Sequence, residues 1–283
     1  MNETKCYKAS RKHTIITILG ITALVLLIQV GIAGAAQSSN VWFHKGSELM
    51  SSEKYDEAIK AYDKAIGINP QNPDAWYNKG LALAKLGELD EAVKTYDKAI
   101  EINPQDSKAW YKKGNVLSRL GKYDEAIEAY EKSIEIDPQN SNTWNNKGAT
   151  LAKFGKLDEA VKAYDKAIEI NPRDSEAWDG KGVALGNLGI YNEAIKAYDK
   201  AIEINPRDSE TWYNKAVTLN KLNKPDEAIK AYDKVIEINP KNPDAWYNKG
   251  LALAKLKKFE KAIGAFIKAT EINPHIKSLA QKN

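Results

Sequence analysis

Between Ser39 and Ile276 the apolar positions fall at helical spacing, and that pattern itself recurs with a fixed 34-residue period. The unit from Pro73 to Asp106 shows it most clearly. It opens Pro73-Asp74-Ala75-Trp76-Tyr77-Asn78-Lys79-Gly80 and closes Ala99-Ile100-Glu101-Ile102-Asn103-Pro104. The seven tryptophans, Trp42, Trp76, Trp110, Trp144, Trp178, Trp212 and Trp246, are evenly spaced at the same period. Each unit reads as two helices. The first runs from just before the tryptophan to a break at Gly87, Gly121, Gly155 or Gly189, with Glu53, Asn223 and Lys257 at that place in the other units. The second starts on acidic residues such as Asp90-Glu91 or Asp124-Glu125, which suit the positive end of the helix dipole. It stops at Asn-Pro, or once at Asp137-Pro138, because proline disfavours helical geometry in the residue before it. Asn72 and Asn242 before a proline, and Ser107, Ser141, Ser175 and Ser209, are the expected caps of the first helices.

Small residues recur where helices must cross closely. Gly46, Gly80, Gly114, Gly148, Gly182 and Gly250 hold one place, with Ala216 in the sixth unit. Ala58 through Ala262 hold another. The tryptophans, the Leu49-to-Leu253 series and the Tyr62-to-Tyr232 series, ending in Phe266, fill the gaps. A buried tryptophan covers about 150–250 Å², so Trp144→Ala is expected to cost about 3–5 kcal/mol. Residues 73–86 and 243–256 are identical, which points to growth by copying.

The Trp…Gly…Leu…Ala…Tyr…Ala…Pro spacing resembles the tetratricopeptide repeat (TPR) family, over 238 of the 283 residues. The resemblance implies an all-α solenoid of seven antiparallel helix pairs in a right-handed superhelix, with a groove on the first helices. The units are 39–72, 73–106, 107–140, 141–174, 175–208, 209–242 and 243–276. No single pair buries its own apolar face; neighbours complete the core.

Composition narrows the partners. The net charge is +4, but residues 1–36 carry Lys5, Lys8, Arg11 and Lys12 against Glu3. The repeats are thus almost neutral, without the clustered positive charge that nucleic acid needs. The one cysteine, Cys6, precedes the repeats, and His13, His44 and His275 lie far apart, so no metal site is expected. No phosphate loop or nucleophile motif stands out, and neither a cofactor nor enzymatic activity is expected.

Ahead of the repeats, a basic segment (1–14) leads into an uncharged run from Ile15 to Ala36. Two readings fit. The run is long enough to span a bilayer, and it is longer than the usual signal-peptide core, which favours a membrane anchor. The alternative is a signal peptide cut near Ala35-Ala36. Either places the repeats outside the cytoplasm. A short tail (277–283) follows them.

The resemblance puts partner binding on the first helices. Candidate groove residues are Tyr77, Asn78, Tyr111, Asn115, Asn146, Tyr213, Asn214, Tyr247 and Asn248, with a basic row at Lys85, Arg119 and Lys153. Carboxamides donate to and accept from a peptide backbone. Helix layers about 10 Å apart match about three residues of extended chain. The family's grip on a terminal carboxylate is not expected: Asn115 and Asn146 fit it, while Tyr111, Glu176 and Gly180 do not. A lysine precedes the small residue in every unit, Lys45 through Lys249, and its stem is expected on apolar surface with the charge in water. In the last unit Gly264 and Ile267 replace Lys and Asp, so Ile263, Phe266 and Ile267 form a candidate docking end for a second copy or another subunit. The expected function is a non-catalytic scaffold for protein or peptide partners. The alternatives are a structural subunit of an envelope assembly or an accessory subunit of an enzyme such as a glycosyltransferase.

Overall fold

A computed structural model describes residues 38–276. The N-terminal segment, with its expected anchor or signal helix at 15–36, and the tail 277–283 lie outside the described residues. The described residues are helical, without strands. The helices are α1 (38–51), α2 (Tyr55–Ile68), α3 (Pro73–Leu86), α4 (Leu89–Ile102), α5 (Ser107–Arg119), α6 (Tyr123–Ile136) and α7 (Ser141–Lys153). They continue with α8 (Leu157–Ile170), α9 (Ser175–Asn187), α10 (Tyr191–Ile204), α11 (Ser209–Lys221), α12 (Pro225–Ile238), α13 (Pro243–Lys255) and α14 (Phe259–Ile272). Two compact parts divide between Leu120 and Gly121.

The helix ends follow from local chemistry. Asn72 accepts from the backbone N–H groups of Asp74 and Ala75, and Asn242 from that of Ala245, each followed by proline in the first turn. In the intervening units the cap is one residue earlier than the serine. Asp106, Asn140, Asp174 and Asp208 accept the first-turn N–H groups, and the serines are the first helical residues. A carboxylate or carboxamide reaches those donors without a proton of its own to place, and a carboxylate also suits the dipole. At the far end, all seven predicted breaks take positive φ: Gly87, Gly121, Gly155 and Gly189 at 76–88°, and Glu53, Asn223 and Lys257 at 58–60°.

In the first part, α2 packs on α3, α3 on α4, and α4 on α5. Ser39 on α1 donates from a buried site to the Ala65 carbonyl at 2.9 Å. In the second part the pairs α7–α8, α9–α10, α11–α12 and α13–α14 pack internally, and each joins the next through its second helix. First helices also touch in succession, α7 to α9, α9 to α11 and α11 to α13.

The fully buried large side chains are the tyrosines of the second helices, Tyr62, Tyr96, Tyr130 and Tyr232, rather than the tryptophans. The Tyr62, Tyr96 and Tyr198 rings press on the glycine of the helix they pair with. A Cβ added to Gly80 would lie 2.7 Å from the Tyr96 ring, and one at Gly182 2.6 Å from Tyr198. The tryptophans are half-buried at the turns between units. Each indole N–H from Trp76 to Trp246 donates to the proline carbonyl six residues earlier at 2.9–3.1 Å. Half burial lowers the expected cost of Trp144→Ala to about 2–3 kcal/mol.

Candidate functional site

The expected groove residues lie on the first helices. In the first part, Tyr77 and Asn78 sit on α3 and Tyr111 and Asn115 on α5, all half-buried. In the second, Asn146 sits on α7, Tyr213 and Asn214 on α11, and Tyr247 and Asn248 on α13, again half-buried. Because first helices touch one another in succession, these side chains share a face within each part.

Bonds to the preceding first helix orient two of the amides, and a bond within its own helix orients a third. Asn248 donates through Nδ2 to the Tyr213 hydroxyl one unit back, at 3.0 Å, and to the Asp244 carbonyl at 2.9 Å. Asn214 donates to Asp179, again one unit back, at 3.4 Å. Asn78 donates to the Asp74 carbonyl at 2.8 Å. In all three the Oδ1 oxygen accepts no hydrogen bond among the described residues. The amide is thereby fixed through its nitrogen and presents an acceptor. Asn115 sits elsewhere on its helix, one turn after Tyr111, and does not extend this row.

Asp179 holds the place that tyrosine holds in Tyr77, Tyr111, Tyr213 and Tyr247. Its carboxyl is pushed up to about 6, first by burial. The hydrogen bond from Asn214 pulls the other way, and the charges of Asp208 and Glu210 raise it further. Burial likewise raises the phenols of Tyr77 and Tyr213.

The basic row divides. Arg119 donates to the Ala84 carbonyl in the last turn of α3 at 3.2 Å, where a cation suits the negative end of the dipole. Lys85 and Lys153 are exposed and make no ion pair or hydrogen bond through their side chains among the described residues.

The lysine series makes a ladder that sequence reasoning only half reached. Lys79, Lys113, Lys147, Lys181, Lys215 and Lys249 each cross to an acid on the preceding second helix. The partners are Asp63, Asp97, Glu131, Asp165, Asp199 and Asp233, at 2.5–2.8 Å. Each ammonium also lies 5.2–5.8 Å from the ring centre of its unit's tryptophan. The stems lie on apolar surface as expected, but the charges sit on acids rather than in water. The signal was an acid recurring at the same period as the lysines. Lys45 has no preceding unit and pairs with Glu48 in its own helix at 3.6 Å.

At the C-terminal end, Ile263 and Ile267 are 58% and 52% exposed, and the half-buried Phe266 ring meets that of Tyr247 at a tilt, with centres 5.4 Å apart. With Thr270, Glu271 and Pro274 they line a groove of about 690 Å³.

These features define a repeat array of helix pairs, with polar acceptors on the first helices and an apolar end. Models of the tetratricopeptide repeat match residues 43–107 and the five successive segments from 107–140 to 243–276. The chain belongs to the tetratricopeptide repeat family. Among solved structures it is similar to YrrB, described as a TPR protein with an unusual peptide-binding site, at 29% identity and TM-score 0.57, covering 70% of this chain and 99% of that one. It is also similar to MamA, at 27% identity and TM-score 0.57, covering 61% and 94%. A tetratricopeptide repeat protein from Parabacteroides merdae shares the fold at 19% identity and TM-score 0.65, covering 87% and 97%. Comparison with curated proteins gave no significant match.

Proposed function

We propose that the chain is a non-catalytic scaffold that binds an extended peptide, or an extended segment of a protein, along the first-helix face within each of its two parts. The observation that carries this reading is the set of oriented amides. Asn78, Asn214 and Asn248 are held through nitrogen and offer oxygen, which matches the N–H donors of a peptide backbone. YrrB's described peptide-binding site supports the same reading. Lys85 and Lys153 add charge at the edge of the face, so the partner is better matched if acidic residues flank its extended core.

A photoreactive residue placed at position 146, on the face, is expected to capture a polypeptide. The same residue at Glu203, on an exposed second-helix surface, is expected to capture none. Equal capture at both positions would overturn the assignment.

We further propose that the 15–36 segment holds the repeats outside the cytoplasm. Its uncharged length and the preceding basic residues support this. Among the described residues no helix is long and apolar enough to cross a membrane. Protease added outside intact cells is expected to cleave the repeats; protection until lysis would contradict the placement.

A further inference from the structure

In the second part every joint between units follows one rule. A second helix offers an acid and, one turn before it, an apolar residue, and the next first helix covers both. Glu131, Asp165, Asp199 and Asp233 are the acids, and Ile127, Val161, Ile195 and Ile229 the apolar residues. Ile229, for example, packs with Trp246 against the Leu253–Ala262–Ala265 cluster. Helix α14 continues this interface by one more period. Ile263 takes the apolar place, and the acid becomes Ile267. Gly264 stands where α8, α10 and α12 carry Lys162, Lys196 and Lys230. The face has lost its charges at the places that every earlier joint keeps charged.

That change dictates what the face accepts. The preceding joints show that such a face takes an α-helix. From Lys79 to Lys249 each first helix brings a lysine to the acid, and Lys45 holds the same place on α1. Against Ile267 that ammonium would be desolvated without a partner, which is unfavourable. A second copy stacked end to end is therefore disfavoured. We infer that the groove formed by Tyr247, Ile263, Phe266 and Ile267 is a docking site for an amphipathic helix of a different protein, with an apolar residue where this chain's own first helices carry lysine. The groove shares Tyr247 with the peptide-binding face but none of its amides, so amide variants separate the two sites.

The test uses two fluorescent probes with the sequence of residues 243–256, one natural and one carrying Lys249→Leu. Each is stapled on its outer face, because isolated helices of this length are marginal in water. Affinity is read by anisotropy against the full-length chain in detergent micelles and against its Ile267→Asp variant. Position 267 is exposed, and aspartate is the natural residue there in most units, so the variant keeps its fold. The leucine probe is expected to bind the natural chain at least fivefold more tightly than the lysine probe, and Ile267→Asp is expected to reverse that order. Equal affinities, a tighter lysine probe on the natural chain, or no binding by either would overturn the inference. Binding that appears only after removal of residues 277–283 would also overturn it, by assigning the groove to this chain's own tail. Concentration-dependent self-association of the natural chain, abolished by Ile267→Arg, would overturn it in favour of a second copy.

Discussion

Tyr96 and Asp179 show how a repeat tolerates polar groups that a packed interior disfavours. The Tyr96 ring is fully buried against Gly80, yet its hydroxyl has no hydrogen-bond partner among the described residues. An unpaired buried hydroxyl contributes nothing favourable. Tyr96→Phe is therefore expected to leave stability unchanged or raise it by up to about 1 kcal/mol, measured by urea denaturation. Phe266 already fills the equivalent place in the last unit. Asp179 carries the opposite burden. Its folded value, near 6, lies above the ordinary 3.8, so between those values the folded chain binds the proton that the unfolded chain releases. Stability contributed by this residue is therefore complete at about pH 4 and falls as the pH rises through about 6. Asp179→Asn should stabilise the chain by about 1–3 kcal/mol at pH 7.5 and make little difference at pH 4. Asn145 holds the same place one unit earlier. An equal effect at both pH values, read by thermal denaturation, would show that burial of the charge is not the cause.

At the scale of helices, stop signals and joints separate cleanly. Lys257 takes φ of 60°, a conformation that glycine adopts freely and lysine does not. Lys257→Gly is expected to stabilise the last unit by about 1 kcal/mol, seen as a higher urea midpoint with an unchanged slope. The break positions were legible because the regular period lined Glu53, Asn223 and Lys257 up with four glycines. Serine caps were misplaced by one residue, since Asp-Ser and Asn-Ser pairs offer two capping side chains in a row and only the geometry chooses between them. The joints were legible in part. The lysine row was visible, but its acids lie on another helix, and no local pattern announces a contact set by how two helices approach. Lys215 and Asp199 are partly exposed, at 19% and 53% of their side chains. A double-mutant cycle on this pair should return about 0.5–1 kcal/mol of coupling, reduced in about 1 M salt. Coupling indistinguishable from zero at low salt would leave the lysine only its packing on Trp212.

Across the molecule, the fold was almost wholly legible, because tandem copies repeat each weak signal seven times. The sequence placed the candidate residues on the first helices, where the structure has them, but not their bonding. Read as letters, the amides could donate or accept; the approach of successive first helices ties Nδ2 of Asn214 and Asn248, a bond within α3 ties that of Asn78, and Oδ1 is left in each. The near-identity of units hides where one differs, as at Asp179 and Ile267. The central claim is that the first-helix face holds an extended chain through oriented amides. It is tested most directly by the Kd of a display-selected peptide for the natural chain and for a variant carrying Asn78→Ala, Asn146→Ala, Asn214→Ala and Asn248→Ala, matched in helicity. The account predicts a loss of tenfold or more in the variant, from removing several backbone hydrogen bonds of about 1 kcal/mol each. An unchanged Kd would contradict it.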